Sequence, residues 1–251
     1  MQEVIMILQS QQLNKSSILV SNMKAGDVIS YLEMCREEKV NLQRGMNFRL
    51  GGSYSVILVS LRHNAPYADR IEENGKVLIY EGHDIPKTKG VNDPKLIDQP
   101  MKNPRGSLTQ NGLFFAAAQK FKNNKIDPEL VKVYEKIHSG IWVYNGFFKL
   151  VDSWLERSNA RQVFKFRLEL IEGEVSEAGR LSDLEHSRII PASVKLQVWK
   201  RDKRRCVMCG STDNLHFDHI IPYSKGGSSL VVENIQLLCA RHNLEKRDKI
   251  Q

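Results

Sequence analysis

Two residue pairs near the end of the chain have the spacing of a structural zinc site. Cys206 and Cys209 form a Cys-x-x-Cys pair, and a Cys-x-x-His pair, Cys239 and His242, follows after 29 intervening residues. Together they supply the three thiolates and one imidazole that tetrahedral zinc accepts. Such a set leaves no open coordination position, so we predict that this zinc stabilises the fold and takes no part in catalysis. The alternative is two buried thiols in a turn, with a histidine nearby by chance.

A group of residues suited to phosphodiester hydrolysis lies between and just after these pairs. Asp218 and His219 end a short alternating stretch, and Asn243 directly follows the second pair. Hydrolysis needs a group that deprotonates water and a positive charge that stabilises the leaving oxygen. Histidine titrates near neutral pH, which suits His219 to be the general base. The oxygens of Asp218 and Asn243 suit one catalytic divalent ion, Mg²⁺ or Mn²⁺.

Residues 196–250 resemble the HNH (ββα-metal) nuclease family. The resemblance implies a zinc-stapled ββα-metal domain in which Asn234 braces the loop that holds His219, while Lys246 contacts phosphate. The elements that carry it stand in the family order: Leu215-His-Phe-Asp-His-Ile-Ile-Pro222, Gly226-Gly227, Glu233-Asn-Ile-Gln236 and Cys239-x-x-His-Asn-x-x-Lys246.

One alternative stays open within this resemblance. The second pair is Cys-x-x-His, whereas Cys-x-x-Cys is commoner in the family. We assign His242 to zinc and Asn243 to the catalytic ion. The exchanged assignment leaves zinc with three ligands and places His242 at the catalytic ion. We expect His216, two residues before Asp218, to be a surface residue or to face phosphate.

The elements that must carry this region are mostly strands. β-branched and aromatic content predicts strands over 54–60, 76–80, 131–137, 141–144, 147–152 and 163–171, with a hairpin at Asn145-Gly146. Apolar spacing predicts helices over 23–39 and 108–121, and a short helix from Pro191 to about Asp202. Residues 83–107 are rich in Pro, Gly, Asp and Asn, and we predict one long functional loop there.

The predicted fold class is α+β in two domains. We expect a leader over residues 1–22, a curved sheet or barrel with few helices over 23–172, a linker over 173–190, and the nuclease domain over 191–251. Cys35 stands apart from the other cysteines, and we expect it to be a small core residue.

A second set of motifs lies in residues 45–172: Gly52-Ser-Tyr-Ser-Val-Ile-Leu58, Tyr67-Ala-Asp69, Asn74-Gly75, Tyr80-Glu-Gly82, Asp98-Gln99, Leu108-Thr-Gln-Asn111 and residues 131–154. In these motifs the chain resembles the SRA (YDG) family, which binds modified cytosine by flipping the base. The resemblance implies a pocket in which Tyr67 and Tyr80 sandwich the base and Asp69 accepts from cytosine N4. Glu81 and Gly82 then line the pocket beside the 5-substituent.

The same resemblance implies that Arg105, Gln110 and Asn111 contact DNA, from the long loop and the turn that follows it. Taken singly, each pocket residue has a plainer interpretation. Tyr67 and Tyr80 are then core aromatics, and Asp69 is a residue of a surface turn. Ala65-Pro66 stands where the family often has Gly-Gly, and Glu81 follows Tyr80, so the sequence leaves the shape of the pocket open.

The charge of the chain suits an anionic partner such as nucleic acid, although a basic surface is also a common means of solubility. The net charge is +8, and residues 191–251 hold 11 Lys/Arg against 6 Asp/Glu, so this quarter of the chain contributes +5. No run of 18 apolar residues suggests a membrane span and no secretory signal is recognisable, so we expect a cytoplasmic protein.

The sequence therefore predicts a modification-dependent (type IV) restriction endonuclease. Its expected partner is double-stranded DNA with 5-methyl- or 5-hydroxymethylcytosine, and we expect a homodimer because one HNH site cuts one strand. Two other functions stay open. One is an HNH enzyme that recognises unmodified sequence or structure, and the other is a non-catalytic DNA-binding protein with a zinc knuckle.

Overall fold

The computed structural model describes residues 23–50, 52–62, 64–87, 91, 93–171, 174–175, 181–182, 189–247 and 249–250. The predicted leader and most of the predicted linker lie outside the described residues, and so does part of the 83–107 loop. The α+β class is confirmed. The strands are β1 (Val28–Ser30), β2 (Met46–Asn47), β3 (Ser55–Val59), β4 (Arg70–Glu72), β5 (Val77–Glu81), β6 (Glu129–His138), β7 (Ile141–Ser158), β8 (Arg161–Leu170), β9 (Glu174–Val175), β10 (Leu181–Ser182), β11 (Leu215–His219) and β12 (Ile235–Cys239). The α-helices are α1 (Tyr31–Glu37), α2 (Gln110–Lys122), α3 (Ala192–Arg201) and α4 (Ala240–Lys246).

An eight-stranded sheet forms the larger part of the described fold. Its order is β2-β3-β6-β7-β8-β5-β4, and β1 pairs with β7 outside this path. All pairings are antiparallel except that of β3 with β6. Helix α2 lies against this sheet, where its buried Phe114 joins a core with Phe148 and Phe166 from β7 and β8. The predicted curved sheet with few helices is thus what the chain forms.

The predicted hairpin at Asn145-Gly146 is wrong. Strand β7 continues through both residues, and its partner strands turn at other places, after His138 and after Ser158. Gly146 has a φ of +93°, so the left-handed conformation that favours Asn-Gly turns bends this strand without ending it. Local turn preference is here overridden by pairing of β7 on both of its edges.

The helix predicted over 23–39 is shorter in the structure. Residues Val28–Ser30 form strand β1, and Ser30 then caps α1 in a capping box with Glu33. Val28 and Ile29 are apolar because they face the core as strand residues. Their spacing resembled that of a helix, so the predicted helix began upstream of Ser30. The helix predicted over 108–121 is Gln110–Lys122, capped by Thr109, and the helix predicted from Pro191 is Ala192–Arg201.

The C-terminal module (residues 189–250) packs directly on the sheet. It contains α3, the β11–β12 hairpin and α4. Ile137 and Val143 from the sheet share one buried hydrophobic cluster with Val198 and Trp199 of α3 and with Leu237 of β12. One apolar core therefore spans the predicted domain boundary.

A buried ion pair joins the two parts at this boundary. The Lys195 ammonium of α3 lies 2.6 Å from Glu135 Oε2 of β6, and both side chains are at most 1 % exposed. Lys195 also donates to Asn145 Oδ1 at 2.6 Å, while Asn145 Nδ2 donates to Glu135 at 2.9 Å. Burial lowers the pKa of Lys195, and Glu135 counteracts that shift.

A second contact ties the start of the sheet to the hairpin of the module. The His216 ring pairs with the Asp27 carboxylate, and the two residues also form a β-bridge. Phe217 N donates to Gly26 O at 3.1 Å, and a Cβ on Gly26 would lie 2.8 Å from Phe217 O. His216 therefore binds the sheet, which differs from the expected position at the surface or against phosphate.

We expect Lys195→Ala to lower the free energy of unfolding by about 3–5 kcal/mol, because it leaves Glu135 buried without its counter-charge. Urea denaturation followed by tryptophan fluorescence measures the change. Lys200→Ala, on the exposed face of the same helix, is the matched control and should change stability by less than about 0.5 kcal/mol. Equal stability of the two variants would contradict a structural role for the ion pair.

Candidate functional site

The four predicted zinc ligands lie together in the C-terminal module. Their ligand atoms are all within 4.8 Å of one another. Cys206 and Cys209 stand on the turn after α3, Cys239 ends β12, and His242 lies in the first turn of α4. Backbone geometry brings the two pairs together because Val207 N donates to Leu237 O at 2.9 Å and Ala240 N donates to Asn214 O at 2.9 Å.

Three of the six distances between these ligand atoms match the edges of a tetrahedral zinc site. With zinc–ligand bonds of about 2.0–2.3 Å, such a site has edges of roughly 3.3–3.8 Å. The Sγ atoms of Cys209 and Cys239 are 3.8 Å apart, and His242 Nδ1 lies 3.3 Å from Cys206 Sγ and 3.4 Å from Cys239 Sγ. Burial raises the pKa of Cys206, but backbone N–H groups from residues 208, 209 and 239 and the His242 ring outweigh it and lower the pKa to about 6.

Four of the five predicted catalytic residues line one cleft between the module and the sheet. Asp218 and His219 end β11, and Asn243 and Lys246 come from α4. The cleft has a volume of about 260 Å³, and Lys24 and Asn145 line its other side. The strand and the helix of the ββα arrangement thus bring together residues that are up to 28 positions apart in sequence.

His219 is half-buried and held through its ring. Its Nε2 lies 2.8 Å from the hydroxyl of Ser229, which is 3 % exposed. Burial lowers the pKa of His219, Asp218 raises it, and Lys246 lowers it further. Sequence analysis missed Ser229, because the stretch after Gly227 carries no recognisable spacing with His219.

Lys246 is buried beneath the two residues that end β11. Its ammonium lies 3.0 Å from Asp218 Oδ2 and donates to His219 O at 2.6 Å, and the side chain is 1 % exposed. Gln236 Nε2 adds a hydrogen bond of 3.3 Å to the same Asp218 oxygen. The structure thus holds Lys246 against β11 at the edge of the cleft, and its contact with phosphate stays a prediction.

Asn234 connects the two ends of the loop that follows His219. Its Oδ1 accepts from Ile221 N at 2.8 Å, and its Nδ2 donates to Ile221 O and Ser228 O, both at 3.1 Å. Gly227 fits tightly inside this loop, since a Cβ there would lie 1.7 Å from Ile221 O. The structure also places His242 with the cysteines and Asn243 on the cleft, as in the first of the two assignments.

A second cavity lies on the sheet, well away from the cleft in sequence. Its volume is about 490 Å³, within the usual range for ligand sites. Tyr67, Asp69 and Tyr80 all line it, together with His83, which sequence analysis did not single out. Arg44, Lys136 and Trp142 are among the other lining residues.

Asp69 is fixed at this cavity by the neighbouring strand. Its Oδ1 accepts from Glu81 N at 2.8 Å. Burial is the main cause that raises the pKa of Asp69, to about 7, and the Glu81 carboxylate adds to the shift while Lys165 opposes it. Asp69 therefore titrates near neutral pH.

Glu81 and Gly82 lie behind the cavity, whereas the sequence predicted them to line it. The Glu81 carboxylate is 2.9 Å from Lys165 Nζ and accepts from Ala68 N at 3.2 Å, so it supports the Tyr67–Asp69 segment. Gly82 is needed for close packing, since a Cβ there would lie 2.7 Å from both Asn111 Oδ1 and Gln99 Oε1. The sequence does not show which face of β5 lies against the cavity. The residues that directly follow Tyr80 were therefore expected to line the cavity as well.

Tyr80 is a core aromatic, which was the plainer of its two interpretations. Its side chain is 1 % exposed and belongs to the main hydrophobic core. Its hydroxyl lies 3.0 Å from His83 Nε2. Tyr67 is half-buried and stacks on the His83 ring, with centroids 5.5 Å apart and planes 18° apart. The Lys95 ammonium lies 4.0 Å from the centroid of the Tyr67 ring.

The three expected DNA contacts differ in exposure. Arg105 is exposed at the tip of a small turn over residues 102–108. Asn111 is 2 % exposed and bonds the backbone N and O of His83, both at 2.8 Å. Gln110 Oε1 accepts from Phe48 N at 2.7 Å. The amide side chains expected in a DNA groove therefore hold the fold, and of the three Arg105 alone is exposed.

Comparison with known families identifies the C-terminal segment. Residues 206–249 match the family model described as HNH endonuclease. The C-terminal module is therefore similar to HNH endonucleases over these residues. The match includes the four Cys₃His residues, the β11–β12 hairpin and α4. No curated protein matches the chain.

Comparison with solved structures returns SRA domains and a restriction enzyme. The SUVH5 SRA domain in complex with methylated CHH DNA has a TM-score of 0.44 at 24 % identity, over 62 % of this chain and 94 % of that one. The SUVH5 SRA domain bound to fully hydroxymethylated CG DNA has a TM-score of 0.45 at 22 % identity, over 66 % and 97 %. The modification-dependent TagI restriction endonuclease has a TM-score of 0.40 at 21 % identity, over 90 % and 78 %.

Among the described residues, no helix is long and apolar enough to cross a membrane.

We expect the purified chain to contain about one zinc ion, and Cys206→Ser to lose it, because three ligands hold zinc less tightly than four. Metal analysis after gel filtration measures the content, and thermal unfolding measures the accompanying loss of stability. Cys35→Ser is the matched control, since Cys35 lies on α1 outside the cluster, and it should keep its zinc. Full zinc content in Cys206→Ser would contradict the assigned ligand set.

Proposed function

We propose that this protein is a modification-dependent (type IV) DNA endonuclease. The HNH module hydrolyses the backbone, and the cavity lined by Tyr67 and Asp69 captures a flipped 5-methyl- or 5-hydroxymethylcytosine. The observation that carries the proposal is the presence of both sites in one body: a nuclease cleft and an aromatic, carboxylate-bearing cavity on the same packed fold.

His219 acts as the general base in this mechanism. When Nε2 carries the ring proton and donates it to Ser229 Oγ, Nδ1 is unprotonated and can accept a proton from water. Burial keeps the imidazole neutral at physiological pH, because it lowers the pKa of His219. Ser229 is a positioning residue that holds the ring, and Asn234 holds the loop between them.

Asp218 and Asn243 hold the catalytic divalent ion, Mg²⁺ or Mn²⁺. Both carry the hard oxygen donors that these ions accept, and both line the cleft beside His219. A divalent ion bound there supplies Lewis-acid stabilisation of the phosphate and the leaving oxygen. Lys246 orients Asp218 through their 3.0 Å ion pair. Zinc at the Cys₃His cluster has a structural role only.

The cavity on the sheet is suited to a cytosine ring. Tyr67 offers a π-face, and Asp69 offers an acceptor for cytosine N4 in its ionised form or a donor for the ring when protonated. Its pKa of about 7 makes both forms accessible near neutral pH. Arg44 and Lys136 at the cavity supply positive charge for the phosphates that flank a flipped nucleotide.

Two copies cooperate to make a double-strand break. Each chain carries one HNH cleft, and one cleft cuts one strand, so the proposal includes a homodimer or the meeting of two enzymes on DNA. Recognition of unmodified DNA is the second candidate function, favoured by the +5 charge of residues 191–251, which binds phosphate without regard to modification.

We expect His219→Ala to lower DNA cleavage by at least about 100-fold while DNA binding stays unchanged, because the base is lost and the surface is not. Single-turnover cleavage and a gel-shift assay without divalent metal measure the two quantities. His138→Ala, at the exposed end of β6, is the control and should cut like the parent. Undiminished cleavage by His219→Ala would refute the assignment of the base.

The pH dependence of cleavage tests the same residue independently. Because burial lowers the pKa of His219, the neutral form that accepts a proton persists below pH 6.5. We therefore expect the single-turnover rate to fall as the solution is acidified, with its half-maximum below pH 6.5. A rate that is half-maximal well above that pH would assign the limiting titration to another group.

We expect cleavage of a duplex with modified cytosine to exceed that of the matched unmodified duplex by at least about 10-fold. DNAs with cytosine, 5-methyl-, 5-hydroxymethyl- and glucosyl-hydroxymethylcytosine form the test set. Asp69→Ala should remove most of the difference, whereas Asp127→Ala, at an exposed loop, should retain it. Equal cleavage of all four DNAs by the parent favours the second candidate function. No cleavage of any of them with Mg²⁺ or Mn²⁺ favours a non-catalytic DNA-binding protein.

A further inference from the structure

We propose that His83 is the second aromatic wall of the base cavity, a specificity-determining residue that faces Tyr67 across the bound base. The inference rests on the proposed function, because it names a residue of the same recognition site. The position of His83 two residues after β5 gave no sequence signal for this role, which the resemblance to the SRA family assigned to Tyr80.

Tyr80 has no free face for a base. Its side chain is 1 % exposed and packs in the core that includes Phe114 and Phe166. Its contact with His83 is made through the hydroxyl, at 3.0 Å from Nε2. Tyr80 therefore anchors the imidazole, and the ring that faces the cavity at this point belongs to His83.

The rings of His83 and Tyr67 are nearly parallel. Their planes are only 18° apart, the near-parallel arrangement that a sandwiched base requires, and their centroids are 5.5 Å apart. A base between two rings needs about 7 Å, twice the optimal carbon–carbon contact distance. The two side chains thus stack on each other in this structure, and an entering base exchanges that one stack for two.

The neighbouring residues Asn111 and Gly45 allow the His83 imidazole to be held in one place. Asn111 bonds both the N and the O of His83 at 2.8 Å, so the backbone at this position is fixed. Gly45 leaves the space that the ring occupies, since a Cβ there would lie 2.7 Å from His83 Nε2. Burial lowers the pKa of His83 to about 4, and the nearby charges of Asp84, Arg44 and Lys95 partly offset one another, so the ring is neutral at physiological pH. A neutral ring stacks on a base without attracting phosphate.

The test uses equilibrium binding of the full chain to duplexes with one 5-methylcytosine or one cytosine, in buffer without divalent metal. We expect His83→Ala to lose roughly 5- to 150-fold in affinity for the methylated duplex, the range found when one base–aromatic stack is removed. Affinity for the unmodified duplex should stay within about twofold. The exposed His138→Ala is the matched control and should bind both duplexes like the parent.

Two further variants distinguish a stacking role of His83 from a purely structural role. His83→Phe keeps a ring but loses the bond to Tyr80, and we expect it to retain most of the affinity for methylated DNA. His83→Asn keeps a polar group near Tyr80 but has no ring, and it should bind like His83→Ala. The opposite order, with His83→Asn close to the parent and His83→Phe weak, would overturn the inference, and so would parent-like binding by His83→Ala.

Failure of the proposed function is recognised separately. A parent chain that binds methylated and unmodified duplexes equally well overturns the modification-dependent function, and this inference falls with it. A parent chain that discriminates between them, with all three His83 variants discriminating equally well, overturns the role of His83 alone.

Discussion

The ion pair between Lys195 and Glu135 is the constraint on which the arrangement of the whole molecule depends. Both charges are almost fully removed from solvent, at 1 % and 0 % exposure, and such burial is tolerated only when the partners stay together. Asn145 bonds both of them, and Glu135 Oε1 has no hydrogen-bond partner among the described residues. Any movement of α3 away from the sheet would expose apolar surface and separate these charges at the same time. The nuclease module therefore has one position on the sheet.

Strands β6 and β7 connect the Lys195–Glu135 ion pair to the cavity. Successive side chains of a strand point to opposite faces, so Glu135 on β6 faces the module while its neighbour Lys136 lines the cavity. On β7, Trp142 lines the cavity, while Val143 packs in the cluster shared with the module. Two adjacent residues on each strand are enough to place the two sites on opposite faces of one pair of strands. A base held in the cavity and a phosphate in the cleft would then be related by a sheet whose buried core resists deformation.

The site of the C-terminal module was predictable because its residues stand at short, fixed spacings in the sequence. Cys-x-x-Cys, Asp-His and Cys-x-x-His-Asn each place their side chains on one turn or one strand end, and the structure brings them together. The cavity was less predictable because its walls come from elements whose exposed faces depend on tertiary packing. The position of Tyr80 fits the alternation of apolar residues in a strand. However, β5 pairs with both β4 and β8, and the Tyr80 ring is enclosed in the core. Asn145-Gly146 failed for the same reason: its turn preference is local, whereas pairing of β7 with β6 and β8 is not.

In the proposed function, discrimination between DNAs comes from the cavity, and phosphodiester hydrolysis comes from the cleft. Among its named residues, Asp218 and Asn243 present oxygens suited to an ion, His219 presents a nitrogen suited to water, and Lys246 is buried against Asp218. The positive charge of residues 191–251 attracts any phosphate backbone and carries no sequence information. Such a module alone would cut without selection. In the proposed function, the cavity supplies this selection, because its imidazole, its tyrosine ring and its carboxyl group of raised pKa are suited to contact a base.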